Sequence, residues 1–149
     1  MKNTALIFLI VILMSSCSPF KIAGVPKNSS MIVIKNNHSA EENLLLVKKA
    51  LAEKGIEISS QDKDILQLKT GITPVSKLGY SAYYIIYCKT NQIQINGLYN
   101  TGDKVITSGV TINNDPFQKI YYTKWGGNGY AFKAMNDLAK SLGENLEYK

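Results

Sequence analysis

The chain has 149 residues, 45% of them hydrophobic and 19% charged. That is room for one domain with or without a targeting segment, and it is too apolar for a disordered chain. Two cysteines exclude a disulfide-dense scaffold. The formal charge is +6 and all 17 basic residues are lysine. Base readout and bidentate phosphate contact favour arginine, so nucleic acid is not an expected partner. The scattered lysines read as solvated faces and as the composition bias of an AT-rich coding sequence.

The N-terminus reads as an address. Lys2 is followed by an apolar run from Ala5 to Met14 and then by Ser15 and Ser16. A bilayer core of about 30 Å needs roughly 20 helical residues, so this run is too short to remain as a spanning helix. A charged start, a short apolar stretch and small residues before a break describe a secretory signal over residues 1–16. Met14-Ser15-Ser16-Cys17 resembles the lipobox of bacterial lipoproteins, with methionine where leucine is usual. The resemblance implies cleavage before Cys17, acylation of its sulfur and amino group, and attachment to a membrane through lipid alone. Ser18 follows where an aspartate would favour inner-membrane retention, so the resemblance implies an outer-membrane lipoprotein, here expected on the periplasmic face. An ordinary secreted protein is the alternative. A lipidated Cys17 leaves Cys88 unpaired, and its apolar neighbours Tyr83 to Tyr87 point to a buried, inert thiol.

Residues 17–30, with Pro19, Gly24 and Pro26, read as the lipidated cysteine and a tether, and residues 31–149 as one domain. Met31 to Ile34 is a short strand. Ser39 with Glu42 three residues on is a capping-box pattern, and Leu44, Val47 and Leu51 form a helical stripe that stops at Gly55. Ile56–Ile58 and Ile65–Lys69 read as a hairpin around a polar turn, and Thr70 to Leu78 as a loose connection. Tyr80–Lys89 is a long strand followed by a tight turn at Thr90-Asn91, Gln92–Asn96 alternates cleanly, and Lys104–Ile112 and Phe117–Lys124 are further strands. The glycines at 126, 127 and 129 read as a loop before a last helix striped by Ala131, Met135, Leu138 and Leu142 and stopped by Gly143. The order β-α-β(n)-α predicts an α+β fold, an antiparallel sheet of six or seven strands with two helices on one face. The order around the first helix, with Lys54-Gly55-Ile56-Glu57-Ile58 and a strand ending near Lys69-Thr70, is similar to small domains of envelope lipoproteins that accompany outer-membrane protein assembly. That similarity implies an interaction module.

Candidate chemistry is sparse. His38 is the single histidine, so a metal site is not expected, and it reads as a solvated turn residue. Asp62 and Asp64 lack the glycine and distal glutamate of a calcium loop. No nucleophile elbow, second histidine or phosphate-cradling lysine motif is present, and no cofactor is implied. Eight of nine tyrosines lie between Tyr80 and Tyr130, and a sheet covered by helices on one face leaves the other for water or a partner. Tyr83, Tyr87, Tyr99, Tyr121 and Trp125 are therefore the candidate binding surface, with Trp125 either a core lid or an exposed anchor. The expected function is non-catalytic binding or scaffolding in the cell envelope, with an envelope protein or glycan as partner. The alternatives are a carrier holding an amphipathic ligand in a helix-grip cavity lined by Tyr84, Tyr122 and Met135, and a carboxylate-based hydrolase.

Overall fold

A computed structural model describes residues 22–102, 104–107, 110–113 and 116–149. The expected signal and Cys17 lie outside the described residues. The fold is α+β, as the sequence predicts. Strand β1 (Ile32–Lys35) and helix α1 (Ala40–Glu53) come first, followed by β2 (Ile58–Asp62), β3 (Gln67–Thr70), β4 (Thr73–Pro74), β5 (Ser81–Lys89) and β6 (Gln92–Asn100). Then come β7 (Lys104–Thr107), β8 (Val110–Asn113), β9 (Gln118–Lys119), helix α2 (Gly126–Leu142) and β10 (Leu146–Tyr148). An eight-stranded antiparallel sheet runs β10-β1-β6-β5-β3-β2, with β4 also on β5 and β9 also on β6. β7 and β8 pair only with each other among the described residues.

The long β5–β6 hairpin is the spine. Its residues are rich in tyrosine and isoleucine, which suit a pleated, half-buried surface, and it pairs in register from Lys89↔Gln92 to Ser81↔Asn100. Asn91 takes the tight turn at φ 64°, a left-handed conformation that asparagine tolerates. Because side chains alternate, Ala82, Tyr84, Ile86 and Cys88 share one face with Ile93, Ile95 and Tyr99, and all are buried. Both helices cover that face: Val47 and Leu51 of α1, and Ala131, Phe132, Met135 and Leu138 of α2, join the same core.

Helix α1 starts as the sequence predicts. The Ser39 hydroxyl accepts from the Glu42 amide at 3.2 Å, and the Ser39 amide donates to Glu42 Oε2 at 2.7 Å. That backbone bond is the main reason the Glu42 carboxyl lies below its ordinary range. The carboxylate form is therefore the one that supports the cap, and its contribution is lost on acidification below the glutamate range. Behind the cap, buried Asn43 donates to Lys89 O at 2.7 Å and accepts from Asn36 Nδ2 at 2.7 Å. These bonds fasten the start of the helix to the tip of the β5–β6 hairpin.

Several boundaries depart from the sequence reading. β6 runs on to Asn100, because Gly97 lets the strand pass where a side chain would collide. The expected single strand at 104–112 is the β7–β8 hairpin, and most of the expected strand at 117–124 is irregular beyond Lys119. The glycine segment at 126–129 is the first turn of α2, not a loop. First-turn amides have no intrahelical partner in any case, and the packing demands small residues: a Cβ on Gly127 would lie 2.8 Å from Tyr99 Cε2. Finally, β10 closes the sheet edge against β1, with Ile32 opposite Tyr148. Three residues carry no readable periodicity, and only the partner strand selects them.

Cys88 is 2% exposed and unpaired, in agreement with the expected buried thiol. Burial pushes its pKa up to about 11, against a smaller opposite influence from the Lys48 charge. At pH 8 the native thiolate fraction is thus about a hundredfold below that of the unfolded chain, whose pKa is near 9. Ellman's reagent is expected to label the denatured chain rapidly and the native chain at least that much more slowly. Equal rates would contradict the burial. Since the folded state holds the proton more tightly, this site supports folding fully below pH 9 and loses its contribution between about pH 9 and 11.

Candidate functional site

The stretch expected as a tether is docked from Ile22 onward. Ile22 and Val25 pack against the core, and a turn closes with Val25 N donating to Ile22 O at 3.4 Å. Gly24 at φ 78° supplies the left-handed residue of that turn. Tyr122 is the post to which the segment is tied. Its hydroxyl accepts from the Ile22 amide at 3.0 Å, its carbonyl accepts from the Asn28 amide at 3.2 Å, and its amide donates to Ser29 O at 2.7 Å. Ser29 is buried and its hydroxyl donates to Pro26 O at 2.9 Å. Ser30 and Met31 amides both donate to Lys149 O. A spacer reading failed here because Pro and Gly mark both linkers and ordered turns, and the docking partners lie about 100 residues away in sequence.

Between this segment and Tyr122–Trp125 lies a cleft of about 570 Å³. Ile22, Val25, Tyr122 and Trp125 supply its apolar lining, and Lys27 and Lys124, both exposed, stand on it. Among the described residues no acidic side chain lines it. Trp125 is 53% exposed, so it is not a core lid but the exposed residue of the two alternatives. It occupies the N-cap of α2 in extended conformation without a side-chain cap bond.

The five aromatic residues expected to form one surface are divided by the fold. Tyr83 and Tyr87 lie half-buried on the sheet face away from the helices. Tyr83 packs at a tilt against Phe117, ring centroids 5.0 Å apart and planes 57° from parallel, with Lys69 Nζ 4.5 Å from its ring centre. Tyr99 does not belong to any surface: it is 7% exposed on the helix-covered face, and its hydroxyl accepts from Asn128 Nδ2 at 3.2 Å. Extending the alternation of Ile93 and Ile95 to position 99 would have revealed this, but the strand was expected to stop at Asn96. Tyr121 is 43% exposed, and its amide donates to Asn128 Oδ1 at 2.9 Å. It lines a shallower hollow with Asn28, Ser30 and Lys119. Tyr121 and Trp125 are thus brought to the docked N-terminal segment. Ile22, Val25, Lys27 and Lys124 are additional residues of this region.

The three residues expected around an internal ligand belong to the core. Tyr84, Tyr122 and Met135 are buried core residues, and the Phe132 ring packs 5.3 Å from that of Tyr122. His38 stands 4.0 Å from Glu42 in an exposed pair. Asp62 Oδ1 accepts from the amides of Asp64 and Ile65, a local turn at the β2–β3 tip. Among the described residues no three His, Cys, Asp or Glu side chains gather as a metal site would need, and no helix is long and apolar enough to cross a membrane. No protein-family model matches the chain, and no curated protein matches it.

Proposed function

We propose that this chain is a bacterial lipoprotein, anchored through acylated Cys17 at the periplasmic face of the outer membrane, whose α+β domain binds or scaffolds an envelope partner and does not catalyse a reaction. The observation that carries this reading is Met14-Ser15-Ser16-Cys17 at the end of a ten-residue apolar run that includes Met14. Two acyl chains give stable attachment where one does not. Support for a binding role comes from how the polar groups are used. Asn43, Asn128 and Asn136 are buried and spent on structural hydrogen bonds, and the exposed Tyr121 and Trp125 stand with Lys27, Lys119 and Lys124 at the docked segment.

Mass spectrometry of the N-terminal peptide from the envelope fraction tests the anchor. The expected mature chain begins at Cys17 with lipid on its sulfur and amino group, and Cys17→Ala is expected to remove the protein from outer-membrane fractions. A mature chain with an unmodified Cys17 would sink the reading. Crosslinking in intact envelopes, followed by affinity purification, is expected to recover a defined envelope component rather than a substrate-derived adduct.

A further inference from the structure

We propose that the face formed by residues 22–27 and Tyr122–Trp125 is a bilayer-docking surface, with Trp125 seated at headgroup level and Lys27 and Lys124 against anionic lipid phosphates. This rests on the lipid-anchor reading and adds to it how the domain is oriented.

The first argument is reach. Cys17 precedes Ile22 by five residues, and a fully extended chain spans at most about 3.6 Å per residue. Ile22 therefore lies within about 18 Å of a cysteine whose acyl chains are in the bilayer. Ile22 is itself bonded to Tyr122 and lines the cleft, so the cleft face is the part of the domain held nearest the membrane. Had residues 22–30 been free, the same anchor would have allowed any orientation.

The second argument is chemistry. Trp125 is about half exposed beside glycines, a cost in water that a membrane interface removes, since an indole places its ring among headgroups and its N–H in the wet layer. Ile22 and Val25 add apolar area next to it. Lys27 and Lys124 are exposed on the same cleft, no carboxylate among the described residues lines it, and basic side chains within a Debye length of an anionic surface are attracted to it. The occupant that satisfies the anchor length, the indole and both lysines together is the lipid surface to which Cys17 is attached.

Trp125 is the sole tryptophan, so its fluorescence reports this face alone. The full lipidated protein would be reconstituted into vesicles of phosphatidylcholine and phosphatidylglycerol, with and without bromine near the headgroup end of the acyl chains. Strong quenching by bromolipid and weak quenching by aqueous iodide are expected, and Lys27→Glu with Lys124→Glu is expected to lower the bromolipid quenching roughly twofold. Both lysines are exposed, and a thermal melt of the double variant would verify its fold. Iodide quenching with no bromolipid effect would overturn the proposal. So would an emission shift seen in native envelopes and absent from lipid vesicles, which would assign the face to a protein. Intact mass separates the two readings: unacylated Cys17 defeats the anchor itself, whereas acylated Cys17 with a water-exposed Trp125 defeats only the docking.

Discussion

Phe132→Ala is expected to destabilise the domain by about 4 kcal/mol, the middle of the range for emptying a fully buried aromatic site. Phe132 has no exposed surface and lies where α2 meets the sheet, its ring 5.3 Å from Tyr122 and 6.4 Å from Tyr148. Both neighbours come from segments that tie other parts of the chain down: Tyr148 from β10 and Tyr122 from the post that binds Ile22, Asn28 and Ser29. The loss is therefore expected in two measurements. Urea unfolding should give the global figure, and limited trypsin digestion should show faster cleavage after exposed Lys27 under conditions where the wild type resists. A variant as stable as the wild type would contradict the packing described around α2. Rapid cleavage of the wild type after Lys27 would contradict the docking of residues 22–30.

Gly97→Ala is the second large effect, expected at about 3 kcal/mol, with a fall in melting temperature on the order of 10 °C. A Cβ at position 97 would lie 2.7 Å from the Tyr83 carbonyl oxygen, 2.9 Å from Tyr84 Cδ1 and 3.0 Å from Ile120 Cδ1. The nearest of these atoms is backbone in the paired strand, where Tyr84 stands opposite Gly97. It moves only if β5 and β6 separate. Gly143→Ala offers the comparison: its added carbon meets the Ile34 side chain at 2.9 Å and no backbone atom within 4 Å, so a smaller loss is expected there. If the two alanine variants melt together above the expected fall, the central hairpin yields at Gly97 more easily than its pairing implies.

Gly97 also explains part of the fold that the sequence conceals. A glycine within an alternating run reads as an ending, and Gln92–Asn96 was expected to be the whole strand. The strand continues because Tyr84 and Ile120 need the room that glycine leaves. The same logic applies at Gly127, where closeness to Tyr99 turns an expected loop into the first helical turn. In both cases local propensity yields to a neighbour distant in sequence.

Elements whose stabilisation is local were legible from residues alone: the Ser39–Glu42 box and stripe of α1, the alternation of β5, the turn at Asn91, the buried Cys88 and the α+β class. Their signals lie within a few residues, where hydrogen-bond partners and side-chain periodicity are both readable. The candidate site was only partly legible. Tyr121 is exposed as expected and Trp125 takes the exposed one of its two readings, yet Tyr99, expected at the surface, is buried, and the role of residues 22–30 is not readable from sequence. By itself the sequence determined the fold class, the first helix, the central hairpin and the lipobox pattern at Cys17, because each is written in contiguous residues. Tertiary structure alone decided that Ile22 is tied to Tyr122, that β10 pairs with β1, and that Tyr83 and Tyr99 face opposite sides of the sheet. Those outcomes depend on hydrogen bonds and packing between segments up to about a hundred residues apart, which no local pattern encodes.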